Sequence, residues 1–291
     1  MSRRGWLLFA VLSVVWGVPY LLIKVAVGEL PPVVVVFGRC VIGAVLLLPF
    51  SRGADRRALV RRHWRPLLLF TVLEMTAPWL LLSLAEQRLS SSLTGLLVAA
   101  VPLVSAVAAR VAGEAERLTP VRLVGLVLGL LGIGLLLGLD VAGAQLWSIA
   151  AVALVVVGYA TAPLVVSRAL PEVPGVTASA FALVVTAVVY APFAVPRLPA
   201  AVHAPGDALL AVLVLGVVCT ALALALFFQL IREVGSQRAL VITFVNPAVA
   251  VVLGVLLLDE PFTVGLAVGL PVVLVGCVLA TRRGPAVPAV G

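Results

Sequence analysis

The side chain best placed for chemistry in this sequence is Glu74, which lies in an apolar stretch between Thr71 and Thr76. An ionised group at that depth in hydrocarbon costs on the order of several kcal/mol unless it is paired or hydrated. Its functional reading is a carboxyl that takes up a proton or holds a substrate ammonium. Its structural reading is a partner to Arg39, or a neutral carboxyl hydrogen-bonded to nearby backbone. Arg39 is open to the same two readings. It sits roughly 10 Å into its own apolar stretch at 1.5 Å per residue, and its planar fork suits either a substrate carboxylate or the Glu74 side chain. Lys24, near the end of the first apolar stretch, is expected to snorkel to the interface.

Aromatic and amide groups supply the rest. Trp16 and Tyr20 are four residues apart and share a helix face. Trp79, Tyr159 and Asn246, which precedes Pro247, add large or polar groups at depth. Aromatic walls with a few fixed polar groups are what a metabolite pocket requires; each of these residues taken alone also fits interfacial anchoring or packing. The candidate cavity set is therefore Trp16, Tyr20, Glu74, Trp79, Tyr159 and Asn246, with Arg39 and Glu74 as a coupling or structural ion pair. Pro19, Pro78, Pro102, Pro163 and Pro247 each free a backbone carbonyl that can act as a hinge or a ligand. Gly129, Gly132 and Gly134 lie too deep for a phosphate cradle and read as close helix contacts. Glu116 and Glu260 fall near helix N-termini, where a carboxylate is stabilised. His63 and His203 lie in loops, and Cys40, Cys219 and Cys277 lack metal-ligand spacing. No metal, cofactor or catalytic residue is expected.

The elements that position these residues follow from composition. The 291 residues are 63% hydrophobic and only 11% charged, with a mean hydropathy of +1.27. Soluble domains carry roughly 25% charged residues, so the chain reads as all-α and polytopic in a lipid bilayer. At ~20 residues per span, ten transmembrane helices are expected at about 6–27, 32–50, 66–85, 91–112, 119–138, 147–168, 175–195, 208–230, 237–258 and 263–281. The first stretch is too long for a signal-peptide core and no small-residue cleavage site follows, so it reads as an uncleaved helix. The net charge of +8 is dispersed in short clusters between apolar stretches, which does not suit nucleic acid.

Those clusters orient the chain. With the N-terminus in the cytoplasm, the inner side receives Arg3, Arg4, Arg52, Arg56, Arg57, Arg61, Arg62, Arg65, Arg110, Arg117, Arg122, Arg168, Arg232, Arg238, Arg282 and Arg283. The outer side receives only Arg88 and Arg197. The asymmetry predicts cytoplasmic N- and C-termini in the cytoplasmic (inner) membrane.

An internal repeat is also present. Glu116, Thr119, Gly125 and Gly132 share their spacing with Glu260, Thr263, Gly269 and Gly276, and Ser91 precedes Pro102 as Ser236 precedes Pro247. The copies divide the chain into residues 1–140 and 141–291. Each half holds five spans, an odd number, so the second must enter the membrane inverted. Inverted repeats around a midplane site are a recurring plan of secondary transporters.

In that order the motifs resemble the EamA-type transporters of the drug/metabolite transporter superfamily. The first span carries Trp16-Gly17-Val18-Pro19-Tyr20, and Arg39 is followed by small and apolar residues. Each half has a proline in its fourth span, then Glu-x-x-Thr (Glu116-Arg-Leu-Thr, Glu260-Pro-Phe-Thr), then a Gly-rich fifth span. Thr220-Ala-Leu-Ala and Arg232-Glu-Val-Gly-Ser resemble the eighth span and the link beyond it. Glu74 and a one-residue insertion before Glu116 depart from the pattern. The resemblance implies ATP-independent movement of small metabolites such as amino acids, and a structural or gating role for Arg39.

The leading expectation is a transporter of a small-molecule metabolite working by alternating access in the export direction, open to proton coupling. The alternatives from other classes are a membrane-embedded solute sensor and an intramembrane enzyme. Substrate, coupling ion and oligomeric state are not legible.

Overall fold

In a bilayer an apolar chain satisfies its backbone polar groups only as a helix or a closed barrel. The computed structural model describes residues 2–51, 53–113, 119–140, 145–234, 242–243 and 245–280, and among these there are helices and no strands. Seven helices are long and apolar enough to cross a membrane. They are α1 (Arg3–Glu29), α2 (Pro32–Ser51), α3 (Trp64–Glu86), α4 (Ser91–Val111), α6 (Leu146–Ala169), α7 (Gly175–Ala201) and α8 (Gly206–Val234). Three further apolar helices, α5 (Pro120–Asp140), α9 (Asn246–Leu257) and α10 (Val264–Ala280), pack among them. A short basic helix, Ala54–Arg62, precedes α3. The residues Arg52, Glu116, Arg117, Ser236, Arg238, Arg282 and Arg283 lie outside the described residues.

Several helices are broken at prolines, although Pro192 and Pro271, like Pro163, stand inside unbroken ones. Proline lacks the N–H that an interior helix position donates, so it is accommodated in a first turn. Pro19 opens the second segment of α1 after a break at Trp16–Gly17, Pro102 opens the second segment of α4 after Ala99–Ala100, and Pro247 opens α9. Pro163 alone of the five expected kinks stands inside a continuous helix. In α3 the turn before Pro78 widens to a π-turn, Val72–Thr76, and α8 has its own π-turn at Val217–Leu222.

These irregularities repeat. The two π-turns begin 145 residues apart, as do the second segment of α4 and the start of α9, and as do Ser91 and Ser236. Caps repeat as well: the Thr119 hydroxyl accepts from the Arg122 amide at the start of α5, and the Thr263 hydroxyl accepts from the Leu266 amide at the start of α10. α5 and α10 then pack together through glycine. A Cβ on Gly276 would overlap the backbone of Gly129 and the carbonyl of Gly125, and one on Gly132 would overlap Val273. Gly129 and Gly132 are close-contact positions, as expected from the sequence, whereas Gly134 has nothing within 4 Å of its missing Cβ and is not one.

Candidate functional site

Arg39 is the polar centre of the bundle. It is buried on α2 between α3 and α8. Its guanidinium lies over the Trp79 ring, 3.7 Å from the ring centroid, a cation–π contact that strengthens where water is excluded. Its Nε donates to Oγ1 of Thr220 at 2.8 Å. Thr220 belongs to the π-turn of α8, and its hydroxyl donates to the carbonyl of Leu215, five residues back, at 2.8 Å. A hydroxyl has one proton and two lone pairs, so Thr220 caps a carbonyl that the wide turn leaves open and still accepts from Arg39. Among the described residues no hydrogen bond engages the two terminal amino groups of Arg39.

Arg39 and Glu74 do not form the ion pair that their sequence positions allowed. The ion pairs among the described residues are Arg62–Glu172 and His63–Glu172, both at 3.7 Å, in the connections before α3 and α7. The physical reason is axial: Trp79 and Thr220 occupy the face and edge of the guanidinium at a level that Glu74, more than a turn away along α3, does not share. Glu74 is half-buried in the π-turn, within electrostatic reach of Tyr159. The turn around it is anchored to α7. Thr76 and Thr186 share a hydroxyl hydrogen bond of 2.8 Å, and the Tyr190 hydroxyl donates to the Thr76 carbonyl at 2.7 Å. On α6, Gly158 admits the Leu73 carbonyl so closely that a Cβ would collide with it.

The remaining candidates are distributed unevenly. Tyr20, Trp79 and Tyr159 meet in the packing between α1, α3 and α6 and lie around Arg39. Trp16 does not join them. The break at Trp16–Gly17 ends the shared face with Tyr20, and the indole packs on Phe227 of α8 with ring centroids 4.8 Å apart. Asn246 ties helices together: with its amide nitrogen facing two carbonyls it donates to Ser13 at 3.1 Å and Ile242 at 2.9 Å. Among the described residues no three His, Cys, Asp or Glu side chains gather at metal-ligating distance.

A second polar cluster lies where the α3–α4 turn meets the α9–α10 turn. Glu260 caps α4, not its own helix: its carboxylate accepts from the amides of Ser91 at 2.6 Å and Ser92 at 3.0 Å, and from the Ser92 hydroxyl. Lys24 turns inward and does not snorkel. Its Nζ donates to the carbonyls of Glu86 at 2.7 Å and Leu89 at 2.8 Å, because the end of α3 offers open acceptors. The Glu86 side chain is fully enclosed beside them. Sequence reasoning missed Glu86; its one signal was its position seven residues after Trp79, on the same buried face as Ser83.

The chain resembles known proteins along its whole length. No curated protein matches, but eleven chains of solved structures do. One crystal structure is of a chain 20% identical; the match covers 97% of this chain and 98% of that one with a TM-score of 0.66, and it shows the fold alone. The model of the EamA-like transporter family matches twice, over residues 3–138 and 146–282. With apolar helices throughout and two copies of the family's repeat, this multi-pass membrane protein belongs to the EamA-like transporter family.

Proposed function

We propose that the chain is a secondary, ATP-independent exporter of a small polar metabolite, an amino acid or a related compound, working by alternating access. Ten spans form two inverted halves, residues 1–140 and 141–291, with both termini cytoplasmic in the inner membrane. On this reading the α1–α2, α3–α4 and α9–α10 turns face outward. Arg39, Tyr20, Trp79, Tyr159 and Glu74 line the substrate path, and Trp16 and Asn246 support it from the α8 and α1 sides.

The observation that carries this reading is the setting of Arg39. Its face is held by Trp79 from the first half and its Nε by Thr220 from the second, while its terminal amino groups carry no hydrogen bond among the described residues. A guanidinium held this way binds a carboxylate through its outer edge, and the Glu74 carboxylate, more than a turn away along α3, suits an ammonium. Relative movement of the halves alters the grip on Arg39, which couples occupancy to conformation. Glu74 is the candidate for coupling to a proton gradient.

Purified protein in liposomes, challenged with a panel of amino acids and related metabolites with and without an imposed pH gradient, tests the reading. Flux of a zwitterionic or carboxylate solute is expected. Binding without flux would instead identify a sensor, and chemical conversion of the solute an enzyme.

A further inference from the structure

Among the described residues neither carboxylate oxygen of Glu86 has a hydrogen-bond partner, although the side chain is fully enclosed. Its charged surroundings come from three elements: Lys24 on α1, Arg39 on α2 and Glu260 from the α9–α10 turn. Tyr20 on α1 also lies within electrostatic reach of it. α6, packed along α3, brings no charged side chain to this end, and Arg88 and Asp259 point to solvent. Both obvious partners are committed elsewhere. Lys24 is held by backbone carbonyls, and Glu260 is held by the first amides of α4. The Ser91 hydroxyl beside Glu260 is enclosed and also has no hydrogen-bond partner among the described residues.

Enclosure without a donor identifies what the Glu86 side chain takes. The Glu260 carboxylate is held by two amide donors at the positive end of α4, and Lys24 and Arg39 lie near Glu86 without donating to it. An ionised Glu86 would be an enclosed negative charge that accepts no hydrogen bond among the described residues, an arrangement that folded proteins avoid. Lys24 and Arg39 oppose any added cation, but a proton alone turns the carboxylate into a neutral acid and so removes the cost of enclosing its charge.

We propose that Glu86 is a proton-binding site of the outer seam, protonated while the α3–α4 and α9–α10 turns are held together and ionised when they part. On opening, the carboxyl O–H bond breaks and the proton passes to water of the outer solution; on closing it is taken back. This site is distinct from Glu74, which lies twelve residues earlier, about 18 Å along the helix axis. The inference rests on the alternating-access reading only for the motion that opens the seam.

Spin labels on Gln87→Cys and Phe262→Cys would report the seam directly in the full chain. Both positions are exposed, and the native Cys40, Cys219 and Cys277 are buried. Pulsed EPR distances recorded from about pH 5 to about pH 9 should show a short distance at low pH. A longer distance should grow in with rising pH, the ratio changing by up to ~10-fold per pH unit for a one-proton switch. Glu86→Gln should hold the short distance throughout. A pH-independent distribution in the otherwise native chain overturns the proposal, as does a Glu86→Gln protein that opens with pH as the native one does. Infrared difference spectra of the native chain add a measurement that does not depend on a folded variant: a protonated-carboxyl band should vanish as the seam opens, and its absence overturns the site. Flux measurements separate the two readings. A pH-gated seam without flux removes the transporter and leaves the site, whereas flux through a seam indifferent to pH removes the site and leaves the transporter.

Discussion

Arg39 on α2 and Thr220 on α8 are joined by a hydrogen bond of 2.8 Å from Nε to Oγ1, although 181 residues separate them. The bond holds the edge of a guanidinium whose face rests on Trp79, so the orientation of one cation depends on helices from both family repeats. Lysine cannot reproduce this, because it lacks both the planar face and the fixed Nε. Arg39→Lys is expected to lower flux by about tenfold or more, in keeping with loss of a bidentate charged contact. Thr220→Val is expected to lower it less. A double-mutant cycle on unfolding should return a coupling of about 1 kcal/mol, typical of hydrogen bonds between membrane helices. Additive effects would contradict the arrangement.

Gly254 should be intolerant of alanine. An added Cβ would collide with Glu260 Oε2 and with the hydroxyls of Ser91 and Ser92. Gly254→Ala is expected to break the cap on α4 and to lower stability by about 1–2 kcal/mol. Gly28, with nothing near its missing Cβ, provides the comparison: Gly28→Ala should be neutral or slightly stabilising, since it replaces a poor helix former. Thermal unfolding in one detergent measures both.

The seam between α5 and α10 predicts an order of effects. A Cβ on Gly276 meets the Gly129 amide and the Gly125 carbonyl, which are backbone and cannot move aside. A Cβ on Gly129 meets the flexible end of Leu103. Gly276→Ala should therefore cost more than Gly129→Ala, by about 1–3 kcal/mol, the range for overpacking. Equal losses in chemical denaturation would contradict the backbone contact.

Glu74→Gln tests coupling. If the Glu74 carboxyl carries the coupled proton, the variant should retain solute exchange and lose its response to an imposed pH gradient, as counterflow and gradient-driven uptake in liposomes would show. Coupling unchanged by the substitution assigns Glu74 a structural role.

Much of the fold was legible because its determinants are local. A span is fixed by hydrocarbon thickness, so an apolar run of ~20 residues announces itself. The Glu-x-x-Thr repeat announced two equivalent places in the chain, and its threonines do the same work in both, capping α5 and α10. Prolines marked the segment starts at Pro19, Pro102 and Pro247, because a missing N–H is a property of the residue itself. The π-turn of α3 just precedes Pro78, but that of α8 carried no comparable mark. At the α3 π-turn the Leu73 carbonyl packs against Gly158 of α6, a contact between helices distant in the chain.

Partner choice was not legible. From sequence, Arg39 and Glu74 were each other's natural counter-ions, Lys24 belonged to the interface and Glu260 to its own helix. In the structure Arg39 lies on Trp79 and Thr220, Lys24 reaches the carbonyls at the end of α3, and Glu260 caps α4 across 168 or 169 residues. The sequence by itself determined which residues lie at depth, since transfer from water is a property of each segment. Only the tertiary structure decided which buried groups meet, because that depends on how helices distant in the chain rotate and slide against one another, and a shift of one turn exchanges every partner.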